Sequence, residues 1–211
     1  MKKILLVSFM VLSLAACQNN NKKEVKKDVA PAQVPVNKPA FNHKSYKMKG
    51  MLIAKMTFRH FKSKIQEIGQ KEGLPAVVNF CHDNAIKLTD SIGAAHHVVI
   101  KRTSFKLRNP DNKPDIDEEA VLNEYAKNLE AHKPMEPVVL KDSEGFVHFY
   151  APIKVKQACL QCHGVPGKDI HEDVYKVIKQ KYPDDKATGF KAGDLRGIWD
   201  IKFLDKNQEI K

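Results

Sequence analysis

The sequence predicts an α+β domain, and two observations support this fold class. Two amphipathic helical segments come first, over residues 51–70 and 75–92, and short β-type runs bounded by turn residues follow them. Helices that are segregated along the chain from antiparallel hairpins are typical of α+β proteins. The chain has 211 residues, of which 42% are hydrophobic, and this is enough for one domain with one core.

The first two helices each have an apolar face. In the first, Phe58, Phe61, Ile65 and Ile68 recur at helical spacing. Pro75 is well placed in the first turn of the second helix, and we expect Gly93 to end it. The apolar face of this second helix contains Val78, Cys81, Ala85, Leu88 and Ile92.

The later elements follow from β-type composition, turn residues and helix caps. We expect Asp117 to cap a third helix that continues to about Leu129. The other predicted elements are a strand from residue 98 towards 105, a loop over 108–114, strands over 137–140 and 146–153 around a turn at 142–145, a helix over 170–181 and a last strand over 195–204.

The first sixteen residues predict a lipoprotein signal peptide. A cationic start precedes an apolar run over residues 4–14, which is too short to span a bilayer. The ending Leu-Ala-Ala-Cys resembles a bacterial lipobox, which implies cleavage before Cys17 and its acylation. The protein is then expected to be exported and lipid-anchored to a bacterial membrane, facing the periplasm or the cell exterior. An ordinary secretory signal is the alternative.

Residues 17–45 predict a flexible tether between the lipid and the folded domain. This segment is polar and rich in lysine, then contains prolines, and has too few large apolar residues to form a core. The folded domain is therefore expected over residues 46–211.

The chain is strongly basic. It contains 36 Lys and Arg residues against 25 Asp and Glu residues, which gives a formal net charge of +11. A basic surface favours anionic partners such as lipid head groups or acidic proteins. No nucleic-acid-binding motif accompanies the charge, so we expect no nucleic acid partner.

The clearest functional motif is Cys159-Leu160-Gln161-Cys162-His163. A thioredoxin-type redox pair is expected within a βαβ pattern, which is not obvious around this motif. A structural zinc site needs two more ligands at short spacing, and the sequence contains no second CxxC and no HxxxH. Covalent haem attachment needs a histidine directly after the second cysteine, and His163 is there. The two thiols would add to the vinyl groups of one porphyrin while His163 binds the iron. We predict one covalent haem c, with a bare redox pair as the alternative.

The second axial ligand of the iron is not determined by this motif. Cys81 lies on the apolar face of the second helix, where a free cysteine is commonly a small buried hydrophobe. The other candidates, most of which are expected at the surface, are His60, His82, His96, His97 and Met56.

Several segments resemble the Tll0287-like haem domain family over about residues 50–205. They are Phe80-Cys81, residues 101–104 and 108–115, Glu118-Glu119, Ala151-Pro152-Ile153, and residues 159–164 and 193–199. The resemblance implies a PAS-like or Cache-like antiparallel sheet flanked by helices, with one covalent c-type haem. It also implies an unusual His/Cys axial pair, which here corresponds to His163 and Cys81.

Two arginines are candidates for contacts with the haem propionates. The forked guanidinium groups of Arg102 and Arg108 suit carboxylates. Alternatively, Arg102 faces water from a strand, and Arg108 stabilises its loop by pairing with Asp111 or Asp115.

We expect the protein to be a haem-based redox or gas sensor, in which loss of the Cys81 ligand moves the second helix. Related modules often precede a signalling output domain, and none is recognised in this sequence, so a separate signalling partner is expected. The alternative is an electron-transfer cytochrome whose basic surface docks an acidic redox partner. A peroxidase needs an open iron face and an acid–base pair, and it is the least favoured function. An enzymatic role is therefore less expected than a non-enzymatic one.

Overall fold

The computed structural model describes residues 41–205 as an antiparallel sheet with helices on both faces. Within these residues the four strands have the order β1-β4-β3-β2. The predicted α+β class, with an antiparallel sheet flanked by helices, is confirmed. In chain order the elements are α1 His43–Glu72, α2 Leu74–Ala95, β1 Val98–Thr103, α3 Ile116–Glu130, β2 Val138–Lys141, β3 Val147–Lys154, α4 Leu160–His163, α5 Glu172–Lys181 and β4 Leu195–Phe203.

Successive side chains along each strand point to opposite faces of the sheet. One face packs against α1 and α2 through a core that includes Ile53, Ile100, Phe149 and Ile201. The other face packs against α3, where Tyr150 contacts a cluster of apolar residues from that helix. The last strand, β4, pairs with both β1 and β3, so it lies in the interior of the sheet.

The helix α1 begins earlier than the sequence predicts. Its first residue is His43, and the Asn42 side chain accepts a hydrogen bond from the backbone N–H of Ser45 at 3.1 Å. Tyr46 is buried and its ring lies 4.9 Å from that of Phe203. Residues 43–45, which we assigned to the tether, are therefore part of α1. The predicted signal peptide, Cys17 and tether residues 18–40 lie outside the described residues.

Gly93 does not end α2, which continues to Ala95. This glycine is buried, and a Cβ atom at its position would lie 2.6 Å from the carbonyl oxygen of Val98. The absence of a side chain therefore allows α2 to pack directly against the beginning of β1. The expectation that Gly93 is a terminator was wrong because the residue serves close packing.

The cap of α3 is Asp115, and the prediction of Asp117 was wrong. The Asp115 carboxylate accepts from the backbone N–H of Glu118, and the Glu118 carboxylate accepts from the backbone N–H of Asp115, each at 2.8 Å. This is a capping box, which needs a glutamate three residues after the cap. The remaining predicted strands and the helix α5 are confirmed, with ends within two residues of those expected.

A buried polar network lies on the α3 side of the sheet. His148 Nδ1 is 2.8 Å from Asp200 Oδ1, and His148 Nε2 is 3.2 Å from Asp142 Oδ2, which also accepts from Lys202 at 3.1 Å. Desolvation opposes a charge on His148, but hydrogen bonds to the two carboxylates and their charges outweigh it, so the pKa of His148 is raised. We conclude that the imidazolium form is favoured in the folded protein.

Among the described residues, no helix combines the length and the apolar character that a bilayer span requires.

The raised pKa of His148 predicts a specific pH dependence of stability. A group whose pKa is higher in the folded state stabilises the fold fully below its unfolded pKa, here 6.5, and this contribution is lost as the pH rises through the folded pKa. We expect the unfolding free energy of the wild type to fall across this window, and His148→Gln to remove that fall. Urea unfolding from pH 6 upward measures it, with His60→Gln on the exposed side of α1 as the control. Parallel pH profiles in all three proteins would contradict the assignment.

Candidate functional site

The CxxCH motif forms a short helical segment. A 3₁₀ turn, Gln157–Cys159, leads into α4, and residues three and four positions apart on a helix share one side. Cys159, Cys162 and His163 therefore project together and line one cavity. Leu160 is buried in a separate apolar cluster with Val155 and other residues, which anchors the turn to the domain.

The cavity has a volume of about 820 Å³. Its walls come from α1, α2, β1, the loop after β1, β3, β4 and the CxxCH segment, and most of the lining surface is apolar. This volume lies in the upper part of the range of about 300–1,000 Å³ that is usual for sites of small molecules and cofactors.

The structure brings together six of the seven predicted site residues. The cavity is lined by Cys81, Arg102, Arg108, Cys159, Cys162 and His163. The seventh, Cys17, lies outside the described residues. Cys81 comes from α2 and the CxxCH residues from a segment that is distant in sequence, so the fold creates this proximity.

The orientation of His163 is set by a backbone carbonyl. His163 Nδ1 lies 2.8 Å from the Ala187 carbonyl oxygen, so Nδ1 carries the proton and Nε2 retains its lone pair. Desolvation and the nearby charges of Arg196 and Arg108 hold the pKa of His163 well below its ordinary value. The side chain is therefore a neutral imidazole with a fixed tautomer, the form that binds metals.

The buried cysteine thiols are held in the protonated form. Desolvation raises the pKa of Cys81, although the charges of Arg102 and Arg108 oppose it, and desolvation raises the pKa of Cys162 to about 11. Cysteines that exchange disulfides commonly have a lowered pKa. The environment of Cys162 thus does not favour the bare redox pair.

Cys81 differs from the other candidates for the second axial position. None of His60, His82, His96, His97 and Met56 is among the described residues that line the cavity. His82, the neighbour of Cys81, hydrogen-bonds to Asp83 at 2.6 Å and contacts the ring of Tyr182. Only Cys81 among these candidates is therefore positioned to reach a group in the cavity.

Arg108 connects the CxxCH segment to the following loop. Its Nε and Nη2 atoms each donate to the Asp185 carboxylate at 3.1 Å, and Nη2 also donates to the carbonyl oxygens of Cys162 at 2.7 Å and Ala187 at 3.3 Å. Asp111 and Asp115 were the partners expected from the sequence, but the carboxylate that pairs with Arg108 is Asp185.

Arg102 does not face open water. Its guanidinium group lies over the ring of Phe61, 4.1 Å from the centroid, and 5.6 Å from the ring of Trp199. Val98, Ile100 and Arg102 alternate along β1, so Arg102 shares the face that packs against α1 and α2. This explains why a charged strand residue lines an apolar cavity.

Arg196 is a third arginine at the cavity, and the sequence analysis did not identify it as a site residue. Its Nη1 donates to the Lys106 carbonyl oxygen at 3.2 Å, and its Nε atom is buried without a partner in the described structure. Desolvation, together with the charges of Arg108 and Arg102, lowers the pKa of Arg196 to about 10. The available signal was a charged residue near the start of the last predicted strand.

The charges around the cavity have one sign. Three arginines and three lysines line it, and no Asp or Glu does so within residues 41–205. Nor do these residues contain a cluster of three or more His, Cys, Asp or Glu side chains arranged to hold a bare metal ion. The donor set fits a large apolar ligand that carries carboxylates and a metal at its centre, as haem does.

Comparisons with known proteins give the family and the fold of this chain. The sequence model of the family described as Tll0287-like matches residues 13–203. A solved structure, described as the crystal structure of the cyanobacterial heme-protein Tll0287, is similar to this chain with a TM-score of 0.57 and 24% sequence identity. The similarity covers 80% of this chain and 100% of that one, and at this identity it shows the fold. The comparison with curated proteins gave no significant match.

The hydrogen bonds of Arg108 predict that its replacement lowers the free energy of unfolding substantially. Arg108→Gln leaves the buried Asp185 carboxylate, with 1% side-chain exposure, without its cation, and such losses destabilise proteins by about 3–5 kcal/mol. We expect a decrease of that order in urea unfolding, against a change within about 0.5 kcal/mol for Arg59→Gln on the exposed side of α1. Equally small changes in both variants would show that the Arg108–Asp185 pair contributes little.

Proposed function

This chain belongs to the Tll0287-like family, and on that basis we propose that it is a haem protein with one covalently attached haem c. The observation that carries the proposal is the single cavity lined by Cys159, Cys162, His163 and Cys81. The S–H groups of Cys159 and Cys162 would each add across a vinyl C=C bond, which forms two thioethers without an oxidant. His163 Nε2 and the Cys81 sulfur would be the axial ligands of the iron.

When bound, haem supplies a one-electron redox centre and an iron that can bind diatomic gases. The residues of this chain would hold and orient the haem. The Ala187 carbonyl holds the His163 ring in one tautomer, and Leu74, Val78 and Trp199 supply apolar walls. Cys81 would hold the iron as a thiolate, the form of cysteine that binds metals, and its proton would pass to water. The charges of Arg102 and Arg108, which favour the thiolate, help this step.

We propose a redox or gas sensor module as the function of this site. A thiolate ligand is negatively charged and stabilises ferric iron more than ferrous iron, so reduction of a bound haem would weaken the bond between Cys81 and the iron. Cys81 lies on α2, which packs against α1, α5 and β1. A change in its ligation would therefore act on the helix layer, and a separate signalling protein would detect the change.

One observation supports electron transfer as the second candidate. Three exposed lysines, Lys62, Lys154 and Lys156, are among the residues that line the cavity. Positive charge near a redox centre favours docking of an acidic redox partner and speeds its association. A carrier would keep both axial ligands in both oxidation states.

Spectroscopy of the protein matured with covalent haem tests the ligand set. We expect ferric absorption and EPR spectra of a low-spin thiolate-ligated haem in the wild type and in His82→Ala, and loss of the thiolate signature in Cys81→Ala. His82 is the matched control because it is adjacent on α2 but does not line the cavity. Unchanged spectra in Cys81→Ala would exclude Cys81, and a wild type without covalent haem would overturn the whole proposal.

Stepwise reduction of the same samples separates the two functions. Loss of the thiolate signature on reduction, with slow return on reoxidation, supports a sensor. Retention of both ligands with fast reversible electron transfer supports a carrier.

We also propose that the chain is exported and held on a membrane by acylated Cys17, which rests on the lipobox-like sequence alone. Growth of expressing cells with radiolabelled palmitate is expected to label the wild type and not Cys17→Ser. Labelling of both proteins, or of neither, would contradict this anchor.

A further inference from the structure

The arginines around the cavity are not equivalent, and we infer that Arg196, together with Arg102, binds the haem propionates, whereas Arg108 binds Asp185 and the backbone of the polypeptide instead. This inference rests on the proposed function. It names a propionate contact, Arg196, that sequence patterns do not indicate, and it removes Arg108 from that role.

Arg108 already has a carboxylate partner. Its Nε and Nη2 atoms bind both oxygens of Asp185, and Nη2 is further used by the carbonyl oxygens of Cys162 and Ala187. The Asp185 side chain is 1% exposed, so this pair is desolvated and its charges neutralise each other. A propionate at Arg108 would have to share the guanidinium group with a buried carboxylate, which like-charge repulsion opposes.

Arg196 has no such partner. It forms no ion pair within the described part of the chain, and its Nε hydrogen-bonds to nothing there although the atom is buried. A buried charged donor without an acceptor costs free energy that a ligand carboxylate would recover. Its ring contact with Phe190, 5.5 Å from the centroid, and its bond to the Lys106 carbonyl keep the side chain in place for that ligand.

Arg102 is the natural second contact. The stacking on Phe61 and Trp199 fixes the plane of its guanidinium group, and that group forms no hydrogen bond or ion pair with the described residues. The N–H edge of a stacked arginine remains free for a planar carboxylate. Two arginines without carboxylate partners thus correspond to the two propionates of one haem.

The sheet brings these two arginines to the same end of neighbouring strands. Arg102 pairs in register with Trp199, and Thr103 pairs with Ile198, so the end of β1 lies beside the start of β4. At Gly197 the backbone approaches the Thr103 carbonyl oxygen so closely that a side chain would clash with it. Arg196 directly precedes Gly197, and it lines the same cavity as Arg102.

A comparison of haem with its dimethyl ester tests the inference, because the ester has the same ring without the carboxylate charges. The background is the Cys159→Ser, Cys162→Ser double variant, in which haem binds through contacts that are not covalent. In this background we expect Arg196→Leu to weaken ferric haem binding by about tenfold or more and to leave ester binding almost unchanged. Arg102→Leu is expected to behave in the same way, and Arg59→Leu to change neither affinity.

Arg108→Leu is expected to weaken the binding of haem and ester equally, since it acts through the fold. Equal losses for haem and ester in Arg196→Leu, or no loss at all, would overturn the role of Arg196. If the Cys159→Ser, Cys162→Ser variant binds neither haem nor the ester, a second test uses the covalent holoprotein. There, Arg196→Leu is expected to make the midpoint potential more negative and dependent on pH near neutrality, because a propionate without its cation titrates, while Arg196→Lys retains most of the wild-type behaviour. An unchanged potential would again overturn the assignment, whereas absence of covalent haem in the wild type would overturn the proposed function instead.

Discussion

The geometry of the site depends on one backbone carbonyl, that of Ala187, and on the guanidinium group next to it. The Ala187 oxygen accepts from His163 Nδ1 at 2.8 Å and from Arg108 Nη2 at 3.3 Å, and Arg108 also reaches the Cys162 carbonyl and Asp185. A four-residue helix such as α4 has too few internal hydrogen bonds to be stable alone. The directions of Cys162 and His163, and of Cys159 in the preceding turn, are therefore set by these tertiary bonds, and the cavity depends on them.

The sheet separates two environments of opposite character. Its face towards α1 and α2 is apolar, continues into the cavity wall and carries cations without carboxylate partners at its end. Its face towards α3 contains compensated charges, in which Glu118 pairs with Lys101 at 2.6 Å and His148 lies between two carboxylates. Trp199 and Asp200 are consecutive in β4 and belong to these different sides. Arginines without carboxylate partners thus lie at the cavity, where a ligand is expected, and the charged side chains on the α3 side are paired with each other.

Local patterns in the sequence were sufficient for most of the fold and for the centre of the site. Apolar spacing, turn residues and the CxxCH motif depend on neighbouring residues, so the strands, the helices and the grouping of Cys159, Cys162 and His163 could be predicted. The apolar face of α2 also made Cys81 a candidate. Asp185 as the partner of Arg108 could not be predicted, because the two residues meet only in the folded chain. The role of Arg196 could not be predicted either, because it depends on a buried Nε atom that has no acceptor in the folded chain. Nor could the role of Gly93, because it depends on a contact with β1.

The position of β4 has a consequence for the order in which the protein is assembled. The strand is the last described element of the chain, yet β1 pairs with it alone among the described strands. Because N-terminal residues are delivered first during synthesis, the cysteines at positions 159 and 162 emerge before Arg196, Gly197 and Trp199, which form part of the cavity wall. Under the proposed function, the motif would thus be accessible for haem attachment while its enclosure is still incomplete. Completion of the sheet would then close the wall around the attached group.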